Sequence, residues 1–263
     1  MNRTTKTGLL SLMMFIAFAS SLFAQTTAND IAAKAMHQAF YLGDDSRTRA
    51  EMVITDNNGK IRTRTFVFLR KDKVEDKEQS YYFYFSKPSD VRKMVLLVQT
   101  NITQGDHRWL YIPALDLVKR IAASDVRNSF VGSDFFYEDL SGRVVNVDTH
   151  EIIEENENSY ILRNVPVDKE SVEFAYYDVV IDKNSFLPMK AEYYNKANQK
   201  YRIVKALETE VIQGFPTITK IEVSNIDTGS NTVLSFSRVE YNIGMNDDIF
   251  TERYLRRTPR VVR

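Results

Sequence analysis

The residues through which this chain could do covalent or metal chemistry are few: three histidines, one Gly-Ser-Asp turn and a cluster of carboxylates. His37, His107 and His150 are read in a helix, at a strand entry and in a loop, and none has the i, i+4 partner of a helical metal pair. Gly132-Ser133-Asp134 lacks the Gly-x-Ser-x-Gly elbow of a serine hydrolase and its strand-turn-helix setting, so Ser133 reads as a helix cap. Asp134, Glu138, Asp139 and Asp148 could pair for hydrolysis, but negative charge at a helix start and on a solvated face accounts for them. Cysteine is absent, which excludes thiolate metal sites, a cysteine nucleophile, disulfides and lipid attachment at a leading cysteine. With no phosphate loop or dinucleotide fingerprint either, the expectation is a protein without catalytic residues, metal or cofactor.

The chemistry that does recur is apolar. Phe66 and Phe68 share one strand face, as do Tyr81, Phe83 and Phe85, and Trp109 and Tyr111. At least one of these sets is expected to face an apolar cavity, so Phe66, Phe68, Phe83, Phe85, Trp109 and Tyr111 are the candidate ligand-binding residues. Tyr82 and Tyr84 make the opposite face of their strand aromatic too, and Met94-Val95-Leu96-Leu97-Val98 has no polar side. Strands apolar on both faces need cover on both. A buried sandwich strand meets that need, and so does a strongly curved sheet whose concave face is a greasy cavity closed by helices. A lid candidate lies within residues 123–143. There Gly132 and Ser133 precede a short aromatic helix led by Phe135 and Phe136, and Gly142 ends it. Phe130, Phe135, Phe136 and Leu140 would form the apolar face of such a lid; a helix that merely patches the core is the plainer alternative.

These groups must be positioned by a mainly β chain. Thr27 and Asp30 have the spacing of a capping box, and Ile31, Ala35, Ala39 and Leu42 then share a helical face until Gly43, a helix of about 14 residues. From Arg49 the period becomes two, with a hairpin at Asn58-Gly59 and strand-like runs to Tyr241, roughly 10 to 12 strands without crossover helices. No Pro- or Gly-rich linker divides the chain, so residues 25–263 read as one domain, an antiparallel sheet, barrel or sandwich.

Residues 1–24 have a basic start (Arg3, Lys6), an apolar run from Leu9 to Ala19 and small residues ending at Ala24, the order of a cleaved secretory signal. The chain carries 35 Lys+Arg against 35 Asp+Glu, and removal of Arg3 and Lys6 leaves a mature protein near −2. That balance lacks the broad positive field of a nucleic-acid binder. The periplasm is the expected compartment in a host with two membranes. Arg253, Arg256, Arg257, Arg260 and Arg263 form the one clear charge asymmetry. A solvated basic tail is the default for them, and transient contact of Arg256, Arg257 and Arg260 with anionic headgroups or a membrane partner is the alternative.

Three stretches together resemble the outer-membrane lipoprotein-sorting family related to LolA. They are Asp106-His107-Arg108-Trp109-Leu110-Tyr111-Ile112-Pro113, Val118-Lys119-Arg120-Ile121, and Ser129-Phe130-Val131-Gly132-Ser133-Asp134-Phe135 with Tyr137, Asp139 and Leu140. The ending Ile249-Phe250-Thr251-Glu252-Arg253-Tyr254-Leu255 is similar to that family's C-terminal pattern. The resemblance implies an incomplete β-barrel of about eleven strands, closed by helices, whose apolar interior accepts the acyl chains of a lipid or lipoprotein. It further implies a periplasmic carrier, and for this branch an inner-membrane exporter of the resistance-nodulation-division type as a partner. Envelope-stress regulators that hold an anti-sigma factor resemble the same half-barrel, so a sensing module is a second reading, and an adaptor that fills its own cavity is a third.

Overall fold

The computed structural model describes residues 26–74, 78–101 and 105–262. The signal segment 1–24 and Arg263 lie outside the described residues.

Among the described residues one helix, α1 (Ala28–Phe40), precedes the strands. Its capping box is formed: Thr27 Oγ1 accepts from the Asp30 N–H at 3.1 Å, and the Asp30 carboxylate accepts from the Thr27 N–H at 3.1 Å. The helix ends earlier than the sequence suggests, because Tyr41 leaves helical geometry and donates its N–H to the His37 carbonyl. Gly43, at φ +69°, makes the turn into the first strand.

The strands are β1 (Asp45–Thr55), β2 (Ile61–Val74), β3 (Glu78–Lys87), β4 (Val95–Gln99), β5 (His107–Ile112) and β6 (Leu117–Ile121). They continue with β7 (Asp148–Glu155), β8 (Ser159–Pro166), β9 (Phe174–Asp182), β10 (Pro188–Asn195), β11 (Lys200–Ile212), β12 (Phe215–Asn225) and β13 (Ser230–Tyr241). Among the described residues they make a single antiparallel sheet of thirteen strands, two more than the family resemblance implied, in the order β6-β5-β4-β3-β2-β1-β13-β12-β11-β10-β9-β8-β7. Every neighbour but one follows its partner directly in the chain; the exception, β1 against β13, joins the first hairpin to the last. The two edges, β6 and β7, are consecutive in sequence, so the barrel is open between them and residues 122–147 run from one edge to the other.

Strand alternation divides the side chains into two layers. Phe66, Tyr81, Phe83, Phe85, Leu96 and Val98 belong to one buried cluster, while Val67, Leu69, Tyr82, Val95 and Leu97 from the same strands belong to another. The two-sided apolar strands are therefore covered twice. On the outer face the cover is the C-terminal segment, whose Met245, Phe250, Leu255 and Val262 are buried there. Tyr82 donates its hydroxyl to the Tyr254 carbonyl at 2.8 Å, and Gln99 Nε2 donates to the Phe250 carbonyl at 2.7 Å. A stretch that reads as a basic tail is thus a packed strap with its arginines on the outside.

Candidate functional site

On the inner face the sheet leaves a cavity of about 370 Å³. Side chains from β2 and β3 meet side chains from β8 to β13 around it, which requires the sheet to curve, and α1 lies over it with Ala32, Ala35, Met36 and Ala39. The walls are mainly apolar: Phe66, Phe68 and Phe83 on one side, Leu162, Val179 and Ile221 on the other. Ile31 and Ala35 anchor the helix on Leu162 and Ile181. The carbonyls at its end are taken by buried Arg70 of β2, which donates to the Phe40 carbonyl at 3.0 Å, to the Leu42 carbonyl at 2.8 Å, and to Gly43. Gln79 adds a bond of 2.8 Å to the Phe40 carbonyl. The helix is thereby fixed over the cavity from the sheet floor.

The loop between the open edges is fastened by its acids. Asp134 accepts from the Ser230 and Thr232 hydroxyls at 2.5 and 2.7 Å. Glu138 accepts from Arg127 at 2.5 Å and from Arg143 at 3.0 Å, and Asp139 accepts from Arg202 of β11 at 2.5 Å. Arg143 holds Asp148 of β7 at 2.9 Å, and Arg127 reaches Glu173 at 2.6 Å. The four carboxylates read as a possible hydrolytic pair are thus all engaged, Asp134 by two strand hydroxyls and Glu138, Asp139 and Asp148 by arginines, and the bonds of Asp134, Asp139 and Asp148 tie loop to strand. Burial opposes the charge on Arg127 and Arg143, yet their carboxylate partners outweigh it and hold both guanidinium groups above their ordinary pKa. Gly142, at φ +77°, lets this loop touch α1: a Cβ there would stand 2.5 Å from Met36 Cε and 2.9 Å from Phe40 Cε2.

The candidate residues separate into three groups. Phe66, Phe68 and Phe83 line the cavity. Phe85 is fully buried behind them, 5.0 Å from the Phe66 ring and 5.8 Å from Phe130. Trp109 and Tyr111 do not line it, because strand parity turns them to the outer face, where they pack under the C-terminal strap. The inward side of β5 belongs instead to Arg108 and Leu110: Arg108 bonds Ser141 of the loop at 3.3 Å, and Leu110 packs on the inner cluster.

The expected lid helix is not formed. Residues 129–137 fold back through an isolated bridge between Ser129 and Phe136, and only Glu138–Leu140 makes a 3-10 turn. Ser133 caps no helix; its hydroxyl closes the turn by donating to the Phe130 carbonyl at 2.7 Å and accepting the Phe135 N–H at 3.2 Å. Phe130 and Phe135 are buried in the inner cluster, so the segment is joined to the core. Of the four lid candidates, Phe135 and Leu140 also line the cavity. Phe136 turns away and lies between two guanidinium groups, Arg127 at 4.7 Å and Arg202 at 4.4 Å. Among the C-terminal arginines, Arg256 is bound to Asp116 at 2.9 Å and lies 5.5 Å from the Tyr111 ring centre, whereas Arg257 and Arg260 are exposed. Sequence reasoning leaves out the far wall from β8 to β13 and the helix roof, although in β9 the lining residues Tyr177, Val179 and Ile181 alternate with Asp178 and Asp182 and so carry that signal.

A family model described as "Uncharacterized protein" matches residues 77–257, more than half of the chain. The chain belongs to this family. It is 28% identical to a DUF1329 family protein from Desulfovibrio piger, whose crystal structure superposes with a TM-score of 0.80 over 87% of this chain and 97% of that one. It is 25% identical, with a TM-score of 0.78 over 88% of this chain and 98% of that one, to a putative outer membrane lipoprotein-sorting protein domain from Vibrio parahaemolyticus. A LolA superfamily protein from Nitrosomonas europaea shares the fold at 19% identity, with a TM-score of 0.64 over 87% of this chain and 99% of that one. No curated protein matches the sequence. The fold is the LolA-like open barrel that the sequence resemblance implied.

Proposed function

We propose that this protein is a periplasmic carrier that shields the acyl chains of a lipid or lipoprotein in its inner cavity and moves them between envelope membranes. The observation that carries the reading is the cavity itself: about 370 Å³ of largely apolar space under α1. An acyl chain crossing water exposes methylenes that each favour burial by about 0.8 kcal/mol, and an apolar cavity removes that barrier without a bond being made or broken. The similarity to a lipoprotein-sorting domain supports the same class of cargo. Residues 1–24 supply the export signal, and residues 25–263 form the carrying domain. Phe66, Phe68 and Phe83, with Phe135 and Leu140 above them, are the proposed acyl contacts. Arg257 and Arg260, exposed on the strap, are the proposed docking groups toward a membrane or an inner-membrane exporter.

The test is to fill the cavity without removing a core contact. Ala206 lines it from β11 and is buried, so Ala206→Trp puts an indole where the acyl chain would lie. Lipid extracted from the purified parent, or a fluorescent fatty-acid probe added to it, should be retained by the parent and lost by the variant. Equal retention by a folded Ala206→Trp protein places the ligand elsewhere.

A further inference from the structure

On the outer face, away from the acyl cavity, β1 and β13 frame a second cleft of about 170 Å³, lined by Arg47, Arg49, Val67, Arg238, Glu240, Val261 and Val262. We propose that this cleft binds a phosphate group.

The cleft exists because of a β-bulge. Arg47 pairs with Glu240 and Arg49 with Ser237, so Thr48 alone stands opposite Arg238 and Val239. The extra residue lets Val239 and Tyr241 keep facing the inner cavity while Arg238 is exposed beside the outer arginines. Arg238 adopts φ +52°, the left-handed region that glycine occupies without cost and that other residues enter only at a penalty. A bulge position of this kind suits glycine, and here it carries a guanidinium instead.

The charges make the use specific. Three guanidinium groups face one carboxylate. Glu240 takes Arg47, through Nε at 2.8 Å and Nη2 at 2.5 Å, and Arg47 Nη1 donates to the Val261 carbonyl at 3.2 Å. Arg49 and Arg238 have no carboxylate partner among the described residues. The cleft thus carries two uncompensated positive charges on planar forks whose N–H groups match the oxygens of phosphate. Such a group arrives either as a soluble phosphate or as the headgroup of an anionic phospholipid. The inference does not rest on the carrier reading, because no residue of the cleft contributes to the acyl cavity.

Arg238→Gly is the deciding variant, since it preserves the left-handed turn and relieves its strain. The full chain, Arg238→Gly and Arg49→Gln are each titrated with inorganic phosphate by calorimetry, and sedimented with vesicles of phosphatidylcholine alone or with phosphatidylglycerol. For the parent we expect saturable phosphate binding that each variant weakens at least about tenfold, with the melting temperature of Arg238→Gly unchanged or raised. Capture by phosphatidylglycerol vesicles alone, lost in both variants, identifies the lipid headgroup as the source. The proposal is overturned if the parent binds neither, or if both variants bind as the parent does.

Discussion

Replacing Phe130 with alanine probes whether the loop across the open edge is part of the core. The side chain is completely buried, and its ring lies 6.3 Å from Phe66, 5.7 Å from Phe83, 5.8 Å from Phe85 and 5.8 Å from Tyr137. Three of these partners belong to the sheet and one to the loop itself, so the truncation leaves a void at the point where loop and sheet meet. Phe→Ala changes at such sites cost about 3–5 kcal/mol from lost transfer energy and the residual cavity. For a chain of this size that is a fall in melting temperature of roughly 6–20 °C. Urea unfolding followed by circular dichroism reads it directly, with an unchanged m-value confirming that the same surface is exposed. Phe136→Ala is the internal comparison. That ring is half-buried between Arg127 and Arg202, and two cation–π contacts account for only about 1–3 kcal/mol. A loss below about 1 kcal/mol for Phe130→Ala, or a larger loss for Phe136→Ala, would refute the view that the loop is anchored by its aromatic plug.

Three further outcomes are expected. Trp109 faces the outer layer, so its fluorescence should ignore a cavity ligand, whereas Phe68→Trp in a Trp109→Phe background should respond to a fatty acid; the reverse pattern would put the ligand on the outer face. Burial alone would raise the Glu173 carboxyl, but hydrogen bonds from Arg127 and Tyr201 hold it below its ordinary value of 4.5, so it stabilises the fold above that value and the contribution is lost as pH falls through the folded pKa. Thermal melts between about pH 5 and about pH 3 should therefore fall less steeply for Glu173→Gln, and parallel curves would exclude the residue from the acid transition. Replacing Arg256, Arg257 and Arg260 with Gln should slow lipid transfer to anionic vesicles at low salt and flatten its salt dependence while leaving lipid binding in free solution intact. Equal transfer rates for variant and parent would leave these arginines as solvent-facing charge on a structural strap.

What the linear chain determines by itself is local. Capping chemistry at Thr27 and Asp30, the Asn58-Gly59 turn and the two-residue period of the strands depend on neighbours within a few positions, and each appears where its residues predict it. The double-faced strands also announced that two covers were needed. Which segment covers which face is a long-range matter. The pairing of β1 with β13 brings Arg47 to Glu240, 193 residues away, and the strap lays Tyr254 on Tyr82, 172 residues away. Parity shows the same limit. Trp109 and Leu110 are both apolar, so nothing within β5 says which faces inward; register against β4 sets Trp109 opposite Leu97 and Leu110 opposite Leu96, and the tertiary packing decides between them. The loop at 129–142 has the residues of a short helix, but Glu138 and Asp139 gain more from Arg127, Arg143 and Arg202 than a helix start offers them. Because those arginines come partly from distant strands, the competition is settled only once the sheet has curved and brought them together.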